Sequence, residues 1–133
     1  RNQLKGKIEE IERGAVNAAV VLRTPGGERV TATISKASVD ELELAPGKDA
    51  VAVVKATEVM IGIGEMKLSA RNQLEGEIVK IEEGAVNAIV TLELSGGGAV
   101  TSTISMAAVR ELELAAGMKA KAVIKATSVM IAV

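Results

Sequence analysis

Arg1-Asn2-Gln3-Leu4 returns as Arg71-Asn72-Gln73-Leu74, and the offset of 70 then holds without a gap to Val133. Of the 63 positions paired in this way, 39 are identical, which marks the duplication of a whole folding unit. Two copies are too few for a solenoid, in which stacked repeats cover one another's apolar faces. The repeat therefore predicts two like domains packed together, residues 1–63 and 69–133, joined by a linker at 64–68.

A unit of roughly 65 residues buries a small share of its surface and is marginal alone. Here 48% of residues are hydrophobic, yet Phe, Trp and Tyr are absent, so the core must be built from Val, Ile, Leu, Ala and Met. Few bulky anchors are available to each copy. Pairing of the copies, or oligomerisation, is the expected remedy.

Within a copy, Leu4 to Ile11 alternates apolar and polar residues, as a half-buried strand does. A turn at Glu12-Arg13-Gly14-Ala15 leads to a second strand, Val16 to Leu22. Thr24-Pro25-Gly26-Gly27 signals a hairpin before a third strand, Val30 to Ser35. The spacing then turns helical, and a short helix is expected from about Lys36 to Leu42 with Ser35 as its N-cap. Ala45-Pro46-Gly47 ends it, and strands follow at Ala50 to Val54 and Val59 to Ile63. Five short strands with a helix between the third and fourth is the element order of an oligonucleotide/oligosaccharide-binding (OB) barrel. The expected fold is mostly β: two tandem OB-like five-stranded barrels.

The sequence has no cysteine and no histidine. That removes disulfides, thiolate chemistry, most zinc, copper and non-haem iron sites, and every Ser-His or Cys-His nucleophile pair. No titratable pair suited to catalysis can be assembled, so an enzyme is not expected. Sixteen Lys and Arg against seventeen Asp and Glu give a net charge of -1, so bulk attraction to nucleic acid or an anionic membrane is not expected. Single-strand binding by such barrels also relies on aromatic stacking, which this chain cannot supply. No apolar run approaches the roughly 18 residues of a membrane span and no secretory leader opens the sequence, so a cytoplasmic location is expected.

The polar residues that recur at fixed places carry the functional information. Each copy has Arg-Asn-Gln-Leu at its start, Gly-Ala-Val-Asn-Ala after the first strand, Ser-x-Ala at the helix start and Lys-Ala-Thr-x-Val-Met-Ile near its end. A cation such as Arg71 or Lys125, hydroxyls, and free N–H groups at a helix start suit a tetrahedral dianion. Such a ligand needs no His or Cys. The same residues also read as solvated surface charges, a turn residue at Asn17 and an ordinary cap at Ser35.

Ser69-Ala70-Arg71-Asn72, Gly84-Ala85-Val86-Asn87-Ala88 and Lys125-Ala126-Thr127-Ser128-Val129, read together, resemble the Mop, or molbindin, family. The resemblance runs over essentially the whole chain, twice. It implies five-stranded barrels that exchange strands, a homotrimer of two-module chains, and molybdate or tungstate bound at interfaces between modules. By motif match it implies one half-site of Ser69, Ala70, Arg71, Asn72, Lys125 and Ala126, with Thr127 adjacent, completed by Ser35 and Ser38 from the helix start of a partner module. A reciprocal site would use Arg1, Asn2, Lys55 and Ala56 with Ser105, but Ala108 stands where the first copy has Ser38, and the Ser-Ala pair before Arg1 is missing from this sequence. Two inequivalent sites are therefore expected, the better one around Arg71. A second class of oxyanion site is implied at Val16-Asn17 and Val86-Asn87.

Two other motifs carry no chemistry. Ser95-Gly96-Gly97-Gly98 lacks the Lys-Ser/Thr and helix of a phosphate loop. Met60 and Met130 are expected to fill the core. The resulting functional expectation is storage, buffering or homeostasis of an intracellular oxyanion, with an anion-sensing regulatory module as the alternative.

Overall fold

The computed structural model describes residues 1–133. In the first strand, β1 (Asn2–Arg13), Leu4 and Ile8 are buried while Lys5, Lys7 and Glu9 face solvent, so alternation places one face of the strand in the core. The strand is longer than its alternating stretch because the register with β2 (Asn17–Arg23) shifts between Ile8 and Glu10. That bulge bends β1 and lets it continue across the barrel. β3 (Arg29–Ser35) follows the predicted hairpin.

The helix, α1 (Lys36–Glu41), starts where expected, with the Ser35 hydroxyl accepting from the Ser38 N–H at 3.1 Å. It ends as the chain enters the left-handed region at Glu43, φ 52°. β4 (Asp49–Val54) and β5 (Met60–Gly62) complete the copy. Between them Ala56–Glu58 forms a 3₁₀ turn, which alternation could not show. The second copy repeats the order: β6 (Asn72–Glu83), β7 (Asn87–Leu94), β8 (Ala99–Ser105), α2 (Met106–Glu111), β9 (Lys119–Ile124), a 3₁₀ turn at Ala126–Ser128 and β10 (Met130–Ala132).

The sheets do not follow the copies. One has the order β10-β4-β1-β2-β3 and the other β5-β9-β6-β7-β8, so each copy gives its last strand to the other. Met60 pairs with Val123, and Met130 with Val53. The exchange that the resemblance implied is thus made within one chain. A single cluster of 27 buried apolar residues, among them Val20, Val54, Val90 and Ile124, spans both copies. Each such side chain contributes about 1.5–3 kcal/mol when fully buried, and sharing one core compensates for the missing aromatics. Met60 and Met130 depart from expectation: they are 43% and 45% exposed, because the outward side of each exchanged strand faces away from the core.

Two further contacts weld the copies. The side chain of Asn72 is 1% exposed and reaches the backbone of β3: its Oδ1 accepts from the Thr31 N–H at 2.7 Å and its Nδ2 donates to the Thr31 carbonyl at 2.8 Å. Asn2 does the same to Thr101, at 2.8 Å for both bonds. The second contact joins the hairpin tips, where the Gly96 N–H donates to Glu28 Oε2 at 2.9 Å. A Cβ built on Gly26 would meet the Gly96 carbonyl oxygen, and one on Gly96 the Gly26 carbonyl oxygen, closer than real Cβ atoms approach. Gly96→Ala should therefore push the tips apart and lower stability by about 1–3 kcal/mol. Urea unfolding checks this; an unchanged midpoint would show that the tips are free to separate.

Candidate functional site

The exchanged strands bring distant parts of the sequence to one cleft. It has a volume of about 460 Å³ and is lined by Ser69, Ala70, Arg71, Lys125, Ala126 and Thr127, with Leu68, Val123, Met60 and Thr33 completing its walls. Arg71 precedes β6, Lys125 follows β9, and β6 and β9 are paired with Asn72 opposite Ile124, which sets the two cations side by side. Thr33 comes from β3, which packs against the 3₁₀ turn Ala126–Ser128. The walls therefore belong to both copies.

Arg71 and Lys125 are exposed, and none of the six ion pairs in the chain uses either. The 3₁₀ turn after Lys125 has no side-chain cap, and the leading N–H groups of such a turn have no acceptor within it. Two unneutralised cations, hydroxyls from Ser69, Thr127 and Thr33, and backbone donors thus converge on one concavity. No carboxylate lines it. Such a donor set suits an anion presenting several oxygens. No group of His, Cys, Asp and Glu is arranged to hold a metal ion directly.

Six residues expected in the better half-site line this cleft, and three expected residues do not. Asn72 is committed to Thr31, so its amide is a clamp between the copies rather than a free donor; Asn2 is likewise taken by Thr101. Ser35 and Ser38 stand at the start of α1, with hydroxyl oxygens 2.9 Å apart, outside the walls of the cleft. The reciprocal residues Arg1 and Lys55 are exposed and Ala56 is half-buried, while Ser105 caps α2 by accepting from the Ala108 N–H at 3.0 Å. Because residue 108 is alanine, this second helix start offers one hydroxyl instead of two. In the turns between β1 and β2 and between β6 and β7, Val16 and Val86 are each 74% exposed beside exposed Asn17 and Asn87. Sequence reasoning did not find Thr33, Met60 or Leu68; the exchanged strand brings Met60 to Arg71, the linker brings Leu68, and the packing of β3 on the 3₁₀ turn brings Thr33.

The TOBE domain family matches residues 1–61 and again 68–131. The chain belongs to the TOBE domain family. Its paired TOBE modules match, over the full chain at 46% identity, a crystal structure of the cytoplasmic molybdate-binding protein ModG with molybdate bound, with a TM-score of 0.97 and 96% of that chain covered. The molybdenum transport protein ModE of Azotobacter vinelandii is 42% identical over the whole of this chain. A probable molybdenum-pterin-binding protein of Haemophilus influenzae is 59% identical over 68 residues, 99% of its own length and 51% of this chain. The chain spans about half the length of the ModE relatives it matches, 50% in each of two. These likenesses identify a tandem Mop-type TOBE protein, a binding protein and not an enzyme.

Proposed function

We propose that the chain binds molybdate or tungstate at the cleft around Arg71 and Lys125, for intracellular storage, buffering or homeostasis of the anion. The observation that carries this reading is the convergence of two unpaired cations, hydroxyls and an uncapped turn on a wall made by both modules. The full-length likeness to a molybdate-bound, cytoplasmic protein supports both the ligand and the compartment. Ser69, Ala70, Arg71, Lys125, Ala126 and Thr127 form the half-site. Ser35 and Ser38 reach it from a neighbouring chain in a homotrimer. The site using Arg1, Lys55, Ala56 and Ser105 is the weaker one, because Ala108 removes a donor. Val16-Asn17 and Val86-Asn87 line the second class of site.

Size sets the selectivity. A cage fitted to molybdate leaves its donors too far from the oxygens of the smaller sulfate ion for good hydrogen bonds. Native mass spectrometry during titration with molybdate, tungstate and sulfate tests the proposal, since it reports assembly and bound anion together. Three-chain assemblies that take up molybdate or tungstate but little sulfate are expected. Chains that bind neither oxometalate would remove the reading. The ModE likeness supports a second role, an anion-sensing module whose liganded state a protein partner reads. A molybdate-dependent change in protease sensitivity away from the cleft would favour it over storage.

A further inference from the structure

The two copies differ by one hydroxyl at a fully buried position. Ser102 on β8 and Ala32 on β3 hold the same place in the repeat, and each of these strands packs against the 3₁₀ turn of the other copy. Both side chains are small, so packing alone does not ask for the hydroxyl. A buried hydroxyl is costly unless it is bonded. Ser102 Oγ donates to the carbonyl of Val59, the residue that leads into β5. At the equivalent junction Val129 leads into β10, and the matching residue of β3 is Ala32, whose methyl can donate nothing. One exchanged strand is thus pinned to the other copy by a buried hydroxyl, and its counterpart lacks that bond.

What the pin holds is a wall of the cleft. Met60 pairs with Val123 in the β5–β9 ladder, and both residues line the cleft with Arg71 and Lys125. Fixing the start of β5 therefore fixes its register on β9, the strand that delivers Lys125. A second contact differs between the copies in the same direction. The bonds from Asn72, beside Arg71, to Thr31 are buried, whereas those from Asn2, beside Arg1, to Thr101 are only partly so. Ser102 itself is buried and does not line the cleft, so its effect on the site passes through β5.

We propose that Ser102 is a positioning residue for the anion cleft. By holding β5 it keeps the site around Arg71 and Lys125 in its binding geometry before an anion arrives. The equivalent site around Arg1 and Lys55, beside β10, is ordered by the anion itself. The inference rests on the oxyanion reading of the cleft. A site that is always competent binds with its full intrinsic affinity, while one that is competent for part of the time loses affinity in proportion. The two sites then differ in stiffness as well as in the hydroxyls they present.

Hydrogen exchange of the intact chain without molybdate, read by mass spectrometry, tests the pin itself. Ser102→Ala should speed exchange at residues 60–62 about fivefold and leave 130–132 unchanged. The paired exchange Ser102→Ala with Ala32→Ser keeps the composition and one buried bond, so it covers the case in which the single variant fails to fold. It should speed exchange at 60–62 and slow it at 130–132. Isothermal titration with molybdate then reads the coupling. The tightest binding phase should weaken about fivefold in both variants, with the number of anions taken up unchanged. Exchange at 60–62 unaltered by the loss of the hydroxyl, or faster exchange there with undiminished molybdate affinity, would overturn the proposal. A parent chain that takes up no molybdate would remove the oxyanion reading and this proposal together, a result set apart from the others because the unaltered chain itself fails to bind.

Discussion

Asn72→Ala is expected to lower the unfolding free energy by about 3–5 kcal/mol, more than any other single polar truncation in this chain. Its amide gives two hydrogen bonds to Thr31, and truncation leaves both a donor and an acceptor of β3 buried without partners. Each such group costs about 1–3 kcal/mol. β3 is the terminal strand of its sheet, so Thr31 has no further strand to turn to. Asn72 acts there as a single rung of a ladder, supplied by a side chain of the other module. Asn2→Ala should cost less, about 1–3 kcal/mol, because its bonds to Thr101 are only partly buried. Urea unfolding of both variants distinguishes the cases. Equal losses for the two, or none for Asn72→Ala, would show that water replaces the rung.

Arg71→Ala should weaken molybdate binding at least about 30-fold while leaving stability nearly unchanged. The side chain is exposed in the free chain and makes no ion pair, so the fold loses little. A bound dianion, by contrast, loses one of its two cationic partners, and removing one member of a desolvated charge pair costs about 2–5 kcal/mol. Isothermal titration with molybdate at fixed ionic strength gives the comparison. Arg1→Ala, whose helix start offers one hydroxyl rather than two, should have a smaller effect on total uptake. An Arg71→Ala chain that keeps the parent affinity would move the anion out of this cleft.

Much of the architecture was legible because alternation reports burial directly. Leu4, Ile8, Val20, Leu22, Val30 and Ala32 are buried where an every-second-residue pattern places them. Ser35 could be read as a cap because its side chain acts on its own neighbourhood. Pairing between strands is another matter. β5 and β10 have nearly the same sequence, and β4 and β9 share Ala50/Ala120, Ala52/Ala122 and Val53/Val123, so the apolar pattern does not say which partner each takes; only the family resemblance implied exchange. That ambiguity also misplaced Met60 and Met130. It hid the work of Asn2 and Asn72 as well, since an asparagine near an arginine at a strand start reads as a ligand donor until the opposing edge is seen. The cleft was legible in part for the same reason: Ser69 to Arg71 and Lys125 to Thr127 recur as motifs, whereas Thr33 and Leu68 reach it through tertiary structure alone.

Exchange of the final strands also bears on how such a chain can arise. A polypeptide holding one copy would leave β4 without its neighbour, and would complete its sheet by meeting a second molecule. Joining two copies in tandem replaces that encounter by a tether of a few residues between β5 and β6. The local concentration of the missing strand is then fixed by linker length and no longer by the amount of protein present. Once both halves are always made together, they are also free to diverge. One helix start carries Ala108 where the other carries Ser38, so the two halves already differ in the donors they offer. Duplication with exchange thus turns a symmetric pair into a chain whose two ends can specialise without ever failing to find each other.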